Sequence, residues 1–486
     1  MSPKRSRPVR LWRRVLRAAR NLLLLFLVYL LLGATLPFAW NHPEVSEAYA
    51  ASVAGTDFYD DTPGPERVAL VETNQDALEA RIQLITQAQE RVILSTFDFH
   101  SDESGQDVLA LLLDAAERGV QVQVLVDGVT GFLRMTGNPL FQALSAHPNA
   151  EIRQYNPPNL LAPWTLNGRL HDKYVIVDET GYLLGGRNTY DYFLGEYPTE
   201  HPSQDLEVFV YNTAGDEEQG SMAQLLDYFS SVWNSESCVT YCDDETLRQQ
   251  GAVQEAAQQL ENRFQWLQAA YPDAFTTVDY AAVTEEAGAI HLVSNPINVT
   301  VKEPQVLYTM TELMAAAEEE VVLHSPYAVC NQAMYDALER VAGSVPSFTL
   351  LLNGVANGDN LMASSDYLRN KGAILATGVT LYEYSGPVSD HGKSVTIDGK
   401  LAIIGSFNWD MRAAYLDTEL MLVVSCPALA AELDAYTDGL LAQSRLCLDE
   451  TEYVTPDGLE LPEMSAGKAA VLWLLRGLTV PIRYLL

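Results

Sequence analysis

Two copies of one short pattern supply side chains that can do nucleophilic and acid–base chemistry. The stretch RLHDKYVIVD contains His171, Lys173 and Asp178, with the spacing H-x-K-x-x-x-x-D. An imidazole can act as a nucleophile or exchange a proton near neutral pH, and a neighbouring ammonium supplies positive charge for an anionic substrate. The stretch DHGKSVTID repeats the same spacing with His391, Lys393 and Asp398.

The spacing within each copy predicts that the histidine and the lysine serve one site. Alternate residues of a β-strand point to the same face, so His171 and Lys173 project together while the residue between them faces away. An asparagine, Asn188 or Asn408, follows each histidine by 17 residues, behind a GG or GS pair. Such a turn lets the backbone and an amide side chain approach an oxygen-rich ligand closely. One His-Lys pair is often only a core or surface feature, but two copies with identical spacing indicate function.

The segments around the two motifs repeat as well. ERVILST at 90–96 matches EEVVLHS at 319–325, and VQVLVDG at 122–128 matches FTLLLNG at 348–354. A helix-like run, DVLALLLDAAERG or AMYDALERVAG, separates the two strand-like segments of each copy. This order predicts a strand–helix–strand unit that occurs twice, in an α/β fold with mainly parallel sheets.

The repeat divides the chain into segments of different character. Two homologous α/β halves are predicted, joined by a connector rich in Glu, Gln and Ala that reads as helical. A basic segment and an apolar run precede the first half, and an apolar tail follows the second. The predicted boundaries are 1–21 for the basic segment, 22–40 for the apolar run, 60–240 and 285–448 for the halves, 241–284 for the connector and 449–486 for the tail.

The apolar run near the N-terminus predicts a single-pass membrane anchor. Eight Lys and Arg residues precede the run LLLLFLVYLLLGATLPFAW, which is long enough to cross a bilayer as a helix. Positive charge on its N-terminal side predicts that this end lies in the cytoplasm and that the body after Trp40 lies outside. A cleaved signal peptide is the alternative, because Ala48–Ala50 reads AYA, but that triplet lies far beyond the apolar run.

The charge balance limits the partners that the body can bind. The chain has 30 Lys+Arg and 64 Asp+Glu, a net charge of −34. Without the eight N-terminal basic residues, 22 basic residues remain against 64 acidic residues, a net charge of −42. Nucleic-acid binding normally requires a basic face that displaces phosphate counterions, so a nucleic-acid partner is not expected. An anionic substrate must instead be held by a few local cations.

The cysteines do not define the fold. Cys238 and Cys242 could bridge in an extracytoplasmic body, and free thiols are an equal alternative. The absence of a CxxC pair from the sequence argues against a zinc ribbon. The five cysteines are Cys238, Cys242, Cys330, Cys426 and Cys447.

The duplicated HxKxxxxD, followed in each half by G[GS]xN, resembles the signature of the phospholipase D superfamily. GGRNTYDYF, DYFSSVWNS and GSFNWDMRAAYLDTEL resemble its bacterial cardiolipin synthase branch, and the resemblance runs from about residue 65 to the C-terminus. It implies two α/β/α sandwich halves packed about a pseudo-twofold axis, so that both His-Lys pairs meet at one phosphate. It implies no metal and no cofactor.

The resemblance also implies a role for each site residue. One histidine attacks phosphorus and becomes a phosphohistidine, while the other protonates the departing alkoxide. It assigns His171 as the nucleophile and His391 as the general acid and then base, with the reverse assignment left open. The remaining residues are Lys173, Lys393, Asn188 and Asn408, which hold the phosphate oxygens; Asp205 and Glu419, which orient the histidines; and the motif residues Asp178 and Asp398, which close a turn.

Apolar segments favour a lipid substrate. PPNLLAPWTLNGRL directly precedes His171, and the chain ends AVLWLLRGLTVPIRYLL; such stretches can lie in the headgroup layer or pack on the body. We therefore expect a membrane-anchored transphosphatidylase, a cardiolipin synthase acting on phosphatidylglycerol, with phospholipid and membrane as partners and no obligatory protein partner. The alternatives are a phospholipase D that uses water, a phosphodiesterase or nuclease of the same superfamily, and a non-enzymatic membrane protein that binds anionic lipid.

Overall fold

The N-terminal helix projects from the body of the protein. The computed structural model describes residues 7–40, 42–60, 62–215, 220–242, 244–358 and 360–486. Helix α1 (Arg7–Thr35) continues into a 3-10 turn at Leu36–Phe38. The segment Trp12–Phe38 is long and apolar enough to cross a membrane, and only 6% of its most apolar stretch is buried in the protein. Its exposed apolar side chains suit a lipid environment.

A second helix connects the anchor segment to the body. Helix α2 (Glu47–Gly55) begins at Ser46, whose side chain accepts the N–H of Tyr49. The Tyr49 hydroxyl lies 2.8 Å from Thr309 Oγ1, which fixes α2 against the second half of the chain. The AYA triplet therefore lies within a helix that is packed on the body.

The first half alternates strands with helices, as the repeat predicts. Its strands are β1 (Glu66–Val71), β2 (Arg91–Thr96), β3 (Gln121–Asp127), β4 (Ala150–Tyr155), β5 (Tyr174–Val177), β6 (Gly181–Gly185), β7 (Ser203–Gln204), β8 (Glu207–Asn212) and β9 (Cys238–Thr240), and its helices are α3 (Asn74–Gln87), α4 (Glu103–Glu117), α5 (Gly128–Met135), α6 (Pro139–Ser145), α7 (Gly220–Trp233) and a 3-10 turn at Pro163–Thr165.

The segment between the halves is mostly helical and packs on the first half. Leu260 and Leu267 of its long helix are buried in the first half's core. The segment comprises 3-10 turns at Glu245–Gln249, Pro272–Phe275 and Tyr280–Ala282, the helix α8 (Gly251–Ala270) and the short strand β10 (Glu285–Glu286).

The second half follows the same order and ends in a helical tail. Its strands are β11 (Ile290–Ser294), β12 (Glu320–Ser325), β13 (Ala328–Val329), β14 (Ser347–Asn353), β15 (Thr380–Tyr384), β16 (Ser389–Asp390), β17 (Ser394–Ile397), β18 (Leu401–Gly405), β19 (Trp409–Asp410), β20 (Leu420–Ser425), β21 (Ser444–Cys447) and β22 (Tyr453–Val454), and its helices are α9 (Gln305–Ala315), α10 (Gln332–Ser344), α11 (Leu361–Ala376), α12 (Met411–Tyr415), α13 (Pro427–Leu441), α14 (Ala466–Leu478) and a 3-10 turn at Val480–Leu485.

The two main sheets share the order of eight strands, and each has one further strand at a different edge, β10 in the first sheet and β22 in the second. The first runs β10-β1-β8-β6-β5-β2-β3-β4-β9, and the second runs β11-β20-β18-β17-β12-β14-β15-β21-β22. The expectation of mainly parallel sheets is wrong: β2-β3-β4 and β12-β14-β15 are parallel, and the neighbouring ladders are antiparallel. The reason is local, since β5-β6 and β17-β18 are joined by tight turns, and a tight turn reverses the chain.

The described residues form three large apolar cores and one small one, and one of the large cores joins the two halves. One lies between the first sheet and α3, α4, α6 and α8, and another between the second sheet and α9, α10 and α11. The third core contains Ile176 and Leu184 of the first sheet, Ile404 and Leu422 of the second, and side chains of α7 and α13. Each sheet therefore lies between helical layers, and the predicted pair of homologous α/β/α halves is confirmed. This shared core fixes the position of the motif strands.

Candidate active site

Each His-Lys pair lies in the extended segment that leads into a sheet strand. His171 and Lys173 come directly before β5, and their counterparts come directly before β17. Lys173 and Lys393 are almost wholly buried, each 1% exposed. The residue between each pair faces away, as the alternation predicts: Asp172 is buried and accepts the hydroxyl of Tyr228 at 2.7 Å.

Each histidine is held by a carboxylate from the other half of the protein. His171 Nδ1 lies 2.9 Å from Glu419 Oε1, and His391 Nδ1 lies 2.8 Å from Asp205 Oδ2. Both carboxylates are fully buried. Because both rings are held through Nδ1, the Nε2 atom of each imidazole is the nitrogen left for chemistry.

Backbone pairing between the halves explains this exchange. Leu170 forms a parallel bridge with Thr418, and the Thr418 hydroxyl accepts the N–H of His171 at 3.0 Å. On the opposite side β16 pairs in parallel with β7, and the N–H of His391 donates to the carbonyl of Gln204 at 2.8 Å. In both places the residues that precede a histidine lie against the residues that precede an acid of the other half. Neither half can therefore build the site alone.

The two pairs form one electrostatic unit. Burial lowers the pKa of His171 well below its ordinary value of 6.5, and the charges of Lys173, Lys393 and His391 lower it further. Burial also lowers the pKa of Lys173 to about 7, with Glu419 opposing the shift and Lys393 adding to it. His171 is therefore a neutral imidazole at neutral pH, surrounded by cationic groups.

On the Asp205 side of the site, neighbouring charges outweigh the effect of burial on the pKa. Burial alone would raise the pKa of Asp205, but Lys393 and His391 outweigh this effect and hold it below its usual range. Lys393 Nζ donates to Asp205 Oδ2 at 3.1 Å and also contacts the His391 ring. Asp205 is thus an ionised carboxylate that serves a histidine and a lysine together.

The small residue after each strand makes room for the carboxylates. A Cβ atom on Gly186 would lie 2.3 Å from Asp205 Oδ1, so only glycine fits there. At the matching position Ser406 donates a hydrogen bond from its hydroxyl to Glu419 Oε2. The GG and GS pairs thus support the histidine partners, a role that the sequence did not indicate.

The two asparagines are both buried, and each is oriented by the backbone or by a tyrosine. Asn188 Oδ1 accepts the N–H of Asp98 at 3.3 Å, and Asn408 Nδ2 donates to the Tyr327 hydroxyl at 3.1 Å. Phe97, next to Asp98, packs edge-on against the His171 ring at 5.3 Å between ring centroids. Phosphate binding by the asparagines stays a prediction.

The aspartates of the two motifs lie at the other end of their strands. Asp178 accepts three backbone N–H groups, those of Gln89, Glu90 and Arg91, at 2.8 to 2.9 Å. Asp398 accepts the N–H groups of residues 318–320 in the same way. Both have positive φ, 47° and 53°, as a tight turn requires. These contacts support a turn-closing function for both residues, as expected.

A buried network that the sequence patterns did not indicate lies behind His391. The carboxylate of Asp390 contacts His324 Nε2 and accepts the Tyr436 hydroxyl at 2.9 Å and Gln204 Nε2 at 3.0 Å. A Cβ atom on Gly392 would lie 2.5 Å from the His324 ring. Gly392 and His324 replace Asp172 and Ser95 of the first half, so this pair of differences within the repeat was the signal that could have revealed the network.

Comparison with known proteins places this geometry in context. The family described as cardiolipin synthase, PLD-like domain, matches residues 81–267 and 310–441. The chain is 27% identical over 423 residues to cardiolipin synthase C of Escherichia coli strain K12, covering 76% of this chain and 84% of that protein. It is 24% identical over 372 residues to cardiolipin synthase 2 of Staphylococcus epidermidis, covering 75% and 66%.

A solved structure shares the fold. The phosphatidylserine synthase of Haemophilus influenzae Rd KW20 superposes with a TM-score of 0.62 at 13% sequence identity, covering 90% of this chain and 99% of that chain. At this identity the likeness concerns the fold alone, and it extends over both halves.

Proposed function

Because the chain belongs to the PLD-like domain family of cardiolipin synthases, and is thus a phospholipid-modifying enzyme, we propose that it transfers a phosphatidyl group between two phosphatidylglycerol molecules to form cardiolipin. The observation that carries this proposal is the exchanged pairing of His171 with Glu419 and of His391 with Asp205. It supports one site with two differently placed imidazoles, which is what a two-step displacement at phosphorus needs.

In the first step the Nε2 atom of His171 attacks the phosphorus of phosphatidylglycerol. The N–P bond forms as the bond from phosphorus to the glycerol oxygen breaks, and His391 donates its proton to that oxygen. Glycerol leaves, and the phosphatidyl group stays on His171 as a phosphohistidine. The lowered pKa of His171 favours this assignment, because only a neutral imidazole can attack.

In the second step a hydroxyl of a second phosphatidylglycerol attacks the phosphohistidine. His391, now neutral, takes the hydroxyl proton while the new P–O bond forms and the N–P bond breaks. Cardiolipin leaves and both histidines return to their starting protonation states. Lys173 and Lys393 would offset the charge that develops on the non-bridging oxygens, with the amides of Asn188 and Asn408 as further donors.

The alternatives differ in the acceptor or the substrate. Water in the second step would yield phosphatidic acid, the reaction of a phospholipase D, and the outcome depends on how well the site excludes water. A nuclease has the same chemistry, but a body of net charge −42 disfavours the binding of nucleic acid. A lipid-binding protein without activity would not need to retain both buried His-Lys pairs.

We also propose that α1 crosses the cytoplasmic membrane with its N-terminus inside and the catalytic body outside. The support is the eight basic residues before Leu22 and the apolar span Trp12–Phe38. With this proposed topology the site lies at the outer surface of the membrane.

The proposed function is tested with full-length protein in phosphatidylglycerol vesicles. We expect glycerol release with cardiolipin as the dominant lipid product, identified by mass, because a second lipid headgroup in the same membrane competes well with water. Single-stranded DNA is supplied in parallel, with His171→Ala protein as the control. Mostly phosphatidic acid would assign a phospholipase D instead, and His171-dependent DNA cleavage with intact lipid would refute the lipid reaction.

The pH dependence should reveal the buried lysine. Since the pKa of Lys173 is lowered to about 7, this ammonium is charged below that pH and neutral above it. We expect kcat/KM, which reports the free enzyme, to fall as pH rises through about 7, and kcat to fall only at higher pH because bound phosphodiester retains the proton. In Lys173→Arg protein the fall in kcat/KM should move to higher pH. If the fall in kcat/KM does not move, Lys173 is not the group that produces it.

A further inference from the structure

Helix α1 is docked against a loop of the catalytic body. The Tyr29 hydroxyl donates to the carbonyl of Leu161 at 2.6 Å, and Asn167 Nδ2 donates to the carbonyl of Ala34 at 2.5 Å. Between these two contacts, a Cβ atom on Gly33 would lie only 2.4 Å from Pro163 Cγ. The helix therefore touches residues 157–167 over more than one turn, and we call these residues the apolar loop.

The apolar loop exposes apolar side chains and lacks charge. No charged residue occurs between Arg153 and Arg169. Leu160, Leu161 and Trp164 are 50%, 79% and 44% exposed. A cluster of such side chains on a soluble surface would be costly, and clusters of this kind mark interaction sites.

Four of the eight backbone N–H groups of the apolar loop are paired within the loop. Its three prolines have no N–H to satisfy. The N–H of Leu161 donates to Asn159 Oδ1 at 3.0 Å, and the N–H of Ala162 donates to the Asn159 carbonyl at 3.1 Å. The N–H groups of Thr165 and Leu166 donate to the carbonyls three residues before them. Internal pairing of this kind suits an environment without water.

The contact with Tyr29 sets a depth for the loop. The span Trp12–Phe38 has 27 residues, about 40 Å of helix at 1.5 Å per residue, against a hydrocarbon core of about 30 Å. Arg13, Arg14, Arg17 and Arg20 keep the first turns of this span out of the hydrocarbon, so its C-terminal part is the part that crosses the membrane. Tyr29 lies nine residues, about 14 Å of helix, before the end of the span at Phe38 and therefore well inside the hydrocarbon core. Leu161 is hydrogen-bonded at that level.

A second apolar element reaches the same junction. Arg412 donates from its guanidinium to the carbonyl of Asn167 at 3.2 Å and to the carbonyl of Leu485 at 3.2 Å. Its N–H donates to the carbonyl of Leu486 at 2.9 Å. The tail that ends here exposes Trp473 by 74%. The end of the C-terminal tail therefore meets the apolar loop at Arg412.

We propose that the apolar loop is inserted among the acyl chains of the leaflet at the C-terminal end of α1, so that helix and loop act as one rigid docking unit. Asn167 is four residues before His171, at most about 14 Å of chain, so this unit sets the height of the active site above the membrane. The proposal rests on the membrane anchoring proposed above, and it does not depend on which lipid reacts.

The test uses nitroxide labels on full-length protein in lipid vesicles, in a background with Cys238→Ser and Cys242→Ser. Single cysteines replace Leu161 in the loop, Leu25 in the anchor and Val283 as a control, which is apolar, 60% exposed and in the segment between the halves. Oxygen enters the acyl-chain region and a polar nickel complex does not. We expect the oxygen-to-nickel accessibility ratio at 161 to match that at 25 and to exceed that at 283 by on the order of tenfold.

The three positions separate the possible failures. A shielded label at 25 with an exposed label at 161 would overturn loop insertion while the membrane anchor stands. Exposed labels at both positions would overturn the anchor and the insertion together. The double variant Leu160→Gln/Leu161→Gln supplies a second readout. Relative to unmodified protein, its turnover should fall on the order of tenfold in vesicles and stay unchanged in detergent micelles. The same relative turnover in vesicles and in micelles would contradict the proposal.

Discussion

Replacing either motif histidine with alanine is expected to lower phosphatidyl transfer by roughly 10⁴-fold or more. His171 and His391 come from different halves and perform different steps, so the remaining histidine cannot replace the missing one. Turnover of phosphatidylglycerol in vesicles measures the loss, and circular dichroism with thermal unfolding shows whether the fold is intact. Substantial activity in either variant would contradict a site composed of both halves.

The two variants should also differ from each other. With a phosphodiester that has a good leaving group, such as a nitrophenyl ester, no acid is needed for the first step. His391→Ala protein should then still form the covalent intermediate, whereas His171→Ala protein should not. The opposite behaviour would exchange the roles of the two histidines and leave the reaction class unchanged.

The carboxylates that hold the histidines should give the second large effect. Asp205→Asn and Glu419→Gln each replace an acceptor for an imidazole N–H, which destabilises the productive tautomer, and a loss of roughly 10³-fold is expected for each. Because the carboxylates are exchanged between the halves, Glu419→Gln impairs the nucleophile and Asp205→Asn impairs the general acid.

Exchanged pairing and pairing within one half predict different rates for the two carboxylate variants. With the nitrophenyl substrate, Glu419→Gln protein should form the intermediate slowly, and Asp205→Asn protein should form it nearly as fast as the unmodified protein. Asp398→Asn is the matched control, because the Asp398 carboxylate accepts backbone N–H groups of residues 318–320 at the far end of its strand. The reverse order of rates would mean that each carboxylate serves the histidine of its own half.

Local patterns in the sequence sufficed to predict the repeated unit and the motif residues. The spacing between His171 and Lys173 is a short-range feature, and so are the matching strand-like segments. Short-range features do not depend on how the two halves pack together. The turn-closing function of Asp178 belongs to the same class, because its partners are the backbone N–H groups at the start of β2.

The exchanged carboxylates could not be predicted in this way. Asp205 and Glu419 follow their own motifs in the sequence, but they reach the opposite histidines because the halves dock through the Leu170–Thr418 bridge and the β7–β16 pair. This docking depends on the shared apolar core, which joins residues far apart in the chain. The contact of Tyr29 with Leu161 spans 132 residues and was hidden for the same reason.

The balance of parallel and antiparallel strands was misjudged because two different connections follow one another in each half. The strand–helix–strand segments give parallel pairs, and they were the segments that the repeat made visible. The turns after Val177 and Ile397 reverse the chain and add antiparallel strands. A tight turn requires antiparallel neighbours, but a long connection allows either direction, and the strand-like pattern alone does not reveal which one occurs.

Mapping the covalent intermediate tests the central claim most directly. His391→Ala protein is incubated with the nitrophenyl phosphodiester, digested at neutral to alkaline pH to preserve the acid-labile N–P bond, and analysed by tandem mass spectrometry. We predict a phosphodiester adduct on the peptide that contains His171, localised to that histidine, and no adduct in His171→Ala protein. A modified serine, lysine or carboxylate in place of a histidine, or turnover without any adduct, would contradict transfer through a phosphohistidine at this site.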